Sequence, residues 1–277
     1  MYSATDIRQA LSYPRLAVYE LNRLFHRRGY RWECNERGSD IFDEDWDSLF
    51  ILDACRYDLF ERHNTLPGEL SWRESQGSNT VEFLRGNFAG KELLDTVYVT
   101  ANPQFYKHRD ELDTTFHAVV NIWQEDGWHD ELGTVLPETT TEYARRAAEQ
   151  YPNKRLLVHY LQPHYPFIES ETDYDKGQLE DPDDTTSFWR QMRMSELDVS
   201  PDRVWRDYAE NFELVLPHLR ELLTSLEGRS VVTSDHGNMF GERCDPIPIR
   251  GWGHPIGIYT DQLVKVPWLV SETGTRP

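Results

Sequence analysis

The chain has 277 residues and a mass of 32.7 kDa, which suits one large α/β domain and is too short for two full domains with linkers. Aromatic residues make up 13% of it, and such side chains need a folded core, which excludes a disordered chain. The sequence contains neither an apolar run of transmembrane length nor an apolar leader, and its three cysteines form no CxxC pair. It therefore predicts no membrane span, no disulfide framework and no zinc ribbon, and it predicts a cytoplasmic location.

The charge of the chain is strongly acidic. Asp and Glu number 48 against 29 Lys and Arg, which gives a net charge of −19, and few of the basic residues are Lys. This balance predicts a protein of a halophilic organism, because a high-salt cytoplasm screens the self-repulsion; a merely acidic protein is the alternative. It also excludes nucleic acid as a partner, because a binder of phosphate backbones needs the opposite sign.

Residues 1–31 differ from the rest of the chain, with six Arg against two acids. Apolar side chains recur there at helical spacing: Val18, Leu21, Leu24 and Phe25. Residues 1–46 are therefore predicted to form a basic helical arm with two possible roles. The arm either docks on a membrane surface or on a second copy of the chain, or it packs on its own domain, which is the more ordinary role.

From residue 47 onward, short apolar runs alternate with amphipathic stretches, which predicts βαβ units and one α/β domain over residues 47–277. Strands are predicted at 48–53, 96–101, 117–122, 155–161, 229–234 and 266–270. Helices are predicted at 138–150 and 202–226, the second with a kink at Pro217.

The stretch 169–184 is dense in acidic residues and includes Asp173, Asp175 and Gly177. A calcium loop of the EF-hand type needs a ligand where Gly177 stands, so the spacing fails. A solvated loop is predicted instead, because like charges at this density favour water.

Residues of the types that bind metal ions stand at three places in the chain. Two of these places are the ends of predicted strands, and the third is a glycine-rich turn. Asp53 ends the first strand, Asp235 and His236 follow the strand at 229–234, and His254 stands between Gly253 and a proline. Open α/β sheets bind ligands at the carboxyl ends of their strands, where carboxylate and imidazole suit a divalent cation. For Asp53 taken alone, a helix N-cap is an equal alternative.

Four segments together resemble, in order and spacing, the motifs of the alkaline phosphatase superfamily, in particular its sulfatase-like branch. They are Ile51–Asp58 (ILDACRYD), His159–Pro166 (HYLQPHYP), Thr233–Gly237 (TSDHG) and Gly251–Pro255 (GWGHP). The resemblance spans about residues 47–271. It implies an α/β fold in which a mainly parallel sheet is sandwiched between helices, and an enzyme that acts on phosphoric or sulfuric esters.

The resemblance also implies a site with one divalent ion, of which Zn, Mn, Mg and Ca are all candidates. Its implied ligands are Asp53, Thr80, Asp235 and His236. The implied covalent nucleophile is Thr80, which begins a predicted helix, or Ser78 two residues before it. His164 and His254 are expected to stabilise transition-state charge, to protonate the leaving group or to hold a weaker second ion.

The sequence departs from formylglycine sulfatases, because Cys34, Cys55 and Cys244 all lack the Cys-x-Pro/Ala-x-Arg pattern. Ala54 and Asn238 stand where many relatives have Asp and Glu. The missing formylglycine pattern favours a metal-dependent hydrolase of phosphate esters or phosphodiesters that works through a covalent Thr or Ser intermediate. Its expected substrate is a small-molecule, glycan or lipid-headgroup ester. A sulfatase of sulfated glycans and an inactive binding or scaffold protein are the alternatives.

Overall fold

The computed structural model describes residues 14–170, 188–194 and 197–274. Its β-strands are β1 (Ser48–Asp53), β2 (Glu69–Glu74), β3 (Glu92–Thr100), β4 (Thr115–Asn121), β5 (Trp128–His129), β6 (Thr134–Val135), β7 (Arg155–Pro163), β8 (Gly228–Ser234), β9 (Met239–Arg243), β10 (Arg250–Gly253) and β11 (Lys265–Thr273). Its α-helices are α1 (Pro14–His26), α2 (Tyr57–His63), α3 (Thr80–Phe88), α4 (Gln104–Leu112), α5 (Pro137–Gln150), α6 (Phe188–Met194), α7 (Pro201–Ser225) and α8 (Asp261–Val264), with a 3₁₀ turn at Ile122–Gln124.

The central sheet has seven strands in the order β2-β11-β8-β1-β7-β3-β4. The run β8-β1-β7-β3-β4 is parallel, while β11 pairs antiparallel with both β8 and β2. Each of the six predicted strands is present in this sheet, and the predicted helices correspond to α5 and α7. The α/β fold with a mainly parallel sheet between helices is therefore confirmed.

Side chains of the central strand alternate between two apolar layers. Phe50 and Leu52 belong to the layer that contains residues of α2, α5 and α7, and Leu49 and Ile51 belong to the layer with residues of α3 and α4. All four are fully buried. This alternation means that every second residue of β1 projects toward α3, and Asp53 is the next residue in that series.

Helix α1 contacts the rest of the protein through polar side chains. Tyr19 donates a hydrogen bond to the backbone of β10, and the Asn22 amide both donates to and accepts from the backbone of Ile247. Leu21 and Phe25, half of the predicted apolar stripe, are 52% and 50% exposed. Val18 and Leu24, the other half of the stripe, are partly buried, so the helix packs along one edge of the stripe and leaves the other edge exposed.

The structure also bears on the helix around Pro217, on the acidic loop and on the cysteines. Helix α7 continues through Pro217 to Ser225. The predicted acidic loop lies outside the described residues from 171 onward. Cys34, Cys55 and Cys244 are free thiols, of which Cys55 and Cys244 are buried. Within the three described ranges, no helix combines the length and the apolar character needed to cross a bilayer.

Candidate active site

Three buried side chains meet at the carboxyl ends of the central strands. Strand β1 lies between β7 and β8, with Ile51 opposite both His159 and Thr233. Because side chains alternate along a strand, Asp53, His159 and Asp235 all project toward α3. One ligand atom from each of these three lies within 4.8 Å of the others, and all three residues are buried. Buried carboxylate and imidazole groups at this spacing have the donor types of a divalent metal site.

Hydrogen bonds hold the two carboxylates in place. Oδ1 of Asp235 accepts from the backbone N–H of Ala54 at 2.9 Å and from that of His236 at 2.8 Å. Oδ2 of Asp53 accepts from Nδ2 of Asn102 at 2.5 Å. Each carboxylate thus has one oxygen held by an amide group, which leaves Asp53 Oδ1 and Asp235 Oδ2 to face the interior of the site.

The imidazole of His236 is oriented by its own loop. Its Nδ1 lies 2.8 Å from the carbonyl oxygen of Gly237, so Nδ1 carries the proton and Nε2 keeps its lone pair. That Nε2 lies 3.4 Å from Asp235 Oδ2 and 3.6 Å from Asp53 Oδ1. A nitrogen lone pair and two carboxylate oxygens therefore converge on one small volume.

Thr80 enters this volume from the other side. It is the first residue of α3, whose N-cap is Asn79, and Oδ1 of Asn79 accepts a hydrogen bond from the backbone N–H of Glu82 at 2.9 Å. Its Oγ1 donates to Asp235 Oδ2 at 2.8 Å and lies 3.3 Å from His236 Nε2. The hydroxyl thus stands at the positive end of the helix dipole and beside the convergent donors. The sequence prediction that Thr80 begins a helix is confirmed.

Ser78 has a different environment. Its Oγ donates to Glu82 Oε2 at 2.7 Å and accepts from the backbone N–H of Gly257 at 2.8 Å. These contacts turn the Ser78 hydroxyl toward α3 and the loop after β10. Of the two candidate nucleophiles, Thr80 is the one in contact with Asp235 and His236.

His164 and His254 form a pair beside the donor group. Their Nε2 atoms lie 3.1 Å apart, and His164 Nδ1 lies 2.6 Å from the carbonyl oxygen of Tyr165. The ring centroid of His254 is 4.7 Å from that of His236. Loss of hydration lowers the pKa of His164 to about 4 and lowers the pKa of His254 well below its usual value. Both imidazoles are therefore neutral at pH 7.

Two polar atoms at the centre of the site have no hydrogen-bond partner, although both are buried: Asp53 Oδ1 and His159 Nε2. Burial and the neighbouring charge of Asp235 raise the pKa of the Asp53 carboxyl well above its usual value. Burial lowers the pKa of His159 to about 4. A divalent cation between these atoms would give both of them a partner and offset the charge of the carboxylates, so the residues present fit a metal ion.

No protein-family model matches the sequence, and a search of curated proteins found no match. Solved structures with a similar fold do exist. The soluble domain of lipooligosaccharide phosphoethanolamine transferase A from Neisseria meningitidis is 12% identical, with a TM-score of 0.50 and coverage of 81% of this chain and 75% of its own. The integral membrane form of that protein is 11% identical, with a TM-score of 0.50 and coverage of 81% and 47%. A protein in the alkaline phosphatase superfamily from Vibrio parahaemolyticus is 10% identical, with a TM-score of 0.48 and coverage of 93% and 70%.

The chain has the fold of the alkaline phosphatase superfamily. The resemblance of the four sequence segments predicted this fold, and at 12% identity the fold is what the structural likeness establishes. Within the alkaline phosphatase fold of this chain, Asp53, Thr80, Asp235 and His236 lie together, and His164 and His254 lie beside them.

Sequence reasoning missed two residues of the site. His159 stands in one of the four resembling segments, and its position two residues after Leu157 on a buried strand places it on the same face as Asp53. Asn102, which donates to Asp53, follows the end of β3. Strand periodicity would have identified His159, and the strand-end rule would have identified Asn102.

Proposed function

We propose that the protein is a metal-dependent hydrolase of phosphate esters or phosphodiesters, with Thr80 as its covalent nucleophile. One observation carries the proposal. The Thr80 hydroxyl, at the N-terminus of α3, lies 2.8 Å from Asp235 Oδ2, next to two buried atoms that have no hydrogen-bond partner. A hydroxyl so placed can be activated as a nucleophile by a neighbouring cation.

The proposed ligands of one divalent ion are Asp53, Thr80, Asp235 and His236, with His159 at the edge of the set. When bound, the ion would lower the pKa of the Thr80 hydroxyl and offset charge on a phosphoryl oxygen. Oxygen ligands suit Mg²⁺, Mn²⁺ and Ca²⁺, and the imidazole suits Zn²⁺ and Mn²⁺, so elemental analysis has to identify the ion.

Thr80 performs the first chemical step. Its Oγ1 attacks phosphorus, the Oγ1–P bond forms, and the bond from phosphorus to the leaving oxygen breaks. The hydroxyl proton, which points at Asp235 Oδ2, would be released to water on metal binding, because metal ligands bind in their deprotonated form. The N-terminus of α3 lies at the same place, and the positive end of its dipole favours the negative phosphoryl oxygens. Water then attacks phosphorus, its oxygen forms a bond to phosphorus as the Oγ1–P bond breaks, its proton passes to solvent, and phosphate or a phosphate monoester leaves.

His164 and His254 bind the phosphoryl group or the leaving oxygen. Their facing Nε2 atoms lie at the edge of the donor group, where a substrate oxygen can replace one imidazole as the partner of the other. His164 Nδ1 is held by the Tyr165 carbonyl, which leaves its Nε2 as an acceptor and makes His254 Nε2 the donor. Two neutral imidazoles in this position can also hold a second, weaker ion, as the sequence resemblance implies.

The chemistry of the nucleophile favours phosphate over sulfate. A formylglycine sulfatase needs a modified cysteine, and Thr80 occupies the position that faces the proposed ligands. A threonine ester of phosphate can be cleared by water at a metal site. The neighbour of matching fold is named for transfer of phosphoethanolamine to a lipooligosaccharide, which supports a lipid-headgroup phosphoester as the substrate class.

We further propose that the exposed face of α1 contacts an anionic membrane surface. Leu21 and Phe25 are 52% and 50% exposed and lie one helical turn apart. Arg28 follows them, exposed, with its guanidinium 5.6 Å from the centre of the Phe25 ring. Residues 1–31 are net basic within a chain of charge −19, so charge complementarity points to anionic lipid at this surface.

The experiment that tests the proposed reaction compares nitrophenyl phosphate, bis(nitrophenyl) phosphate and nitrophenyl sulfate under identical salt and metal. We expect kcat/KM to be higher for a phosphorus ester than for the sulfate, and acid-quenched enzyme to carry a phosphoryl adduct on Thr80 in mass spectrometry. A preference for sulfate would establish the sulfatase alternative. Metal-loaded protein that turns over none of the three would establish a binding or scaffold role.

A further inference from the structure

Glu82 is a carboxylate with no exposed surface, in the first turn of the helix that Thr80 begins. Its Oε2 accepts hydrogen bonds from Ser78 Oγ at 2.7 Å, from the Ser78 backbone N–H at 3.1 Å and from the Gly257 backbone N–H at 3.2 Å. Its Oε1 accepts from the Tyr259 hydroxyl at 3.2 Å. Glu82 thus joins the segment before Thr80 to the loop that follows β10.

This loop begins with His254. Gly257 stands three residues after it, and the Gly257 N–H is shared between Glu82 Oε2 and Ser78 Oγ. The Ser78 hydroxyl also lies 3.1 Å from the carbonyl oxygen of Pro255. Both flanks of the candidate site, Thr80 on one side and His254 on the other, are therefore anchored to the same buried carboxylate.

The positive charge beside this carboxylate comes from α1 and the turn after it. Arg27 Nε lies 3.9 Å from Glu82 Oε1, and the Arg27 side chain is 13% exposed. The same Nε donates to the carbonyl oxygen of Trp32 at 2.8 Å, which holds the guanidinium in place. Among the residues that the structure describes, Arg27 is the cation that forms an ion pair with Glu82. A buried carboxylate that loses such a partner is strongly disfavoured.

The packing at Gly257 gives an independent sign of the same contact. Gly257 has a φ of +73°, and a Cβ at this position would lie 2.6 Å from Arg27 Cδ and 2.7 Å from Arg23 Cγ. The aliphatic stems of Arg23, on α1, and of Arg27, directly after it, therefore lie on the backbone of the loop. A residue with a side chain would displace them, so this approach requires glycine.

We infer that Arg27 is a positioning residue of the candidate active site, which it supports through Glu82. The inference rests on the proposed function, and it makes residue 27 part of the catalytic unit rather than of a separate arm. Without the guanidinium, Glu82 would draw in water and release the N–H of Gly257. The loop with His254 and the segment before Thr80 would then lose their common anchor. A displacement of about 1 Å at reacting groups reduces rates about a hundredfold.

The test uses the full chain with three single variants: Arg27→Gln, Arg27→Lys and, as the matched control, Arg145→Gln. Arg145 lies on α5, where it is 49% exposed and pairs with Glu221 at 3.7 Å. We expect Arg27→Gln to lower kcat for an aryl phosphodiester about ten- to a hundredfold, with KM changed by less than about threefold. Arg27→Lys should restore part of kcat, because it keeps the charge, and Arg145→Gln should match the wild type.

A second measurement does not depend on turnover. Hydrogen exchange at the Gly257 amide should be at least about tenfold faster in Arg27→Gln, because the protecting hydrogen bonds open more often. In the double variant Arg27→Gln/Glu82→Gln, the buried charge itself is gone. We therefore expect the double variant to recover most of the Gly257 protection and part of kcat, which a simple loss of α1 packing would not allow.

Three results of these experiments would count against the role of Arg27 or against the proposed function. Wild-type kcat and wild-type exchange at Gly257 in Arg27→Gln would overturn the inference. A double variant no better than Arg27→Gln would also overturn it, because Arg27 would then act through another group. If the wild type turns over no phosphorus ester, the proposed function fails, and exchange at Gly257 in the same variants still decides whether Arg27 holds the loop through Glu82.

Discussion

The Nε2 of His236 lies 3.6 Å from Asp53 Oδ1, and no donor among the described residues forms a hydrogen bond to that oxygen. A lone-pair nitrogen and a carboxylate oxygen do not stabilise each other without a proton or a cation between them. The relationship therefore predicts how the protein responds to metal, in stability as well as in activity.

The first prediction concerns the Asp53→Asn variant. Without metal, it should melt at a higher temperature than the wild type, because the substitution removes one of two buried like charges while Asn102 keeps an oxygen to donate to. A gain of 1 kcal/mol corresponds to about 2–4 °C at this size. With divalent metal present, the wild type should gain stability and the variant should not. Asp95→Asn, at a carboxylate that is 63% exposed, is the control and should behave like the wild type.

The second prediction concerns metal content. Asp235→Asn and His236→Ala should each strip the ion and leave the fold intact, because the site lies at strand ends, beyond the apolar layers of the core. His159→Ala should lower metal affinity about ten- to a hundredfold, as for loss of a group that supports the ligand set. The measurement is elemental analysis after dialysis. The matched control is His218→Ala, at a histidine that is 28% exposed on α7. Stoichiometric metal in His236→Ala would show that the ligand assignment is wrong.

Features that arise from a local run of residues can be predicted from this sequence, whereas features that arise from contacts between distant parts of the chain cannot. Buried strands such as β1 and β8 were predictable, because both faces are covered and their residues form continuous apolar runs. Strand β2 (ELSWRE) was not, because it lies at the edge of the sheet beside β11 and has no fully buried residue, so its sequence carries no apolar pattern.

The residues of the candidate site divide in the same way, into those that stand at strand ends and those that tertiary contacts bring together. Asp53, Asp235 and His236 were identifiable because each stands at the end of an apolar run. The role of Glu82 was not, since a glutamate in a first helical turn is ordinary. Arg27 and Gly257 reach Glu82 through tertiary packing, and no local sequence pattern predicts either contact.

A third prediction concerns salt. With a net charge of −19, the folded chain should gain stability as KCl rises from low to molar concentration, because screening weakens the repulsion among its carboxylates. Surface ion pairs such as Arg229–Glu272 at 2.7 Å act in the opposite sense, but each contributes little. Thermal melts across KCl concentrations measure the balance. A melting temperature that stays flat or falls would contradict the prediction and the halophilic origin behind it.

A fourth prediction concerns the exposed face of α1. The intact protein should sediment with phosphatidylglycerol vesicles and not with phosphatidylcholine vesicles, and the double variant Leu21→Asp/Phe25→Asp should lose at least about tenfold in affinity. Leu94→Asp is the control, because Leu94 is 54% exposed elsewhere on the surface. Intact protein that stays in the supernatant with anionic vesicles would exclude the membrane as partner. If the double variant instead shifts a dimer to a monomer, the surface is an interface between two copies.

The last prediction concerns the nucleophile. Thr80 Oγ1 lies 2.8 Å from Asp235 Oδ2 at the positive end of α3, whereas Ser78 Oγ is engaged by Glu82 and Gly257. Thr80→Ala should therefore lower kcat by several orders of magnitude and abolish the phosphoryl adduct, because no other hydroxyl occupies its position. Thr80→Ser keeps a hydroxyl at the helix end and should retain the adduct. Ser78→Ala should lower kcat no more than about a hundredfold, since it loosens the loop without removing the attacking oxygen. Acid-quench mass spectrometry separates the two: an adduct on Ser78, with Thr80→Ala still active, would assign the reaction to the other hydroxyl.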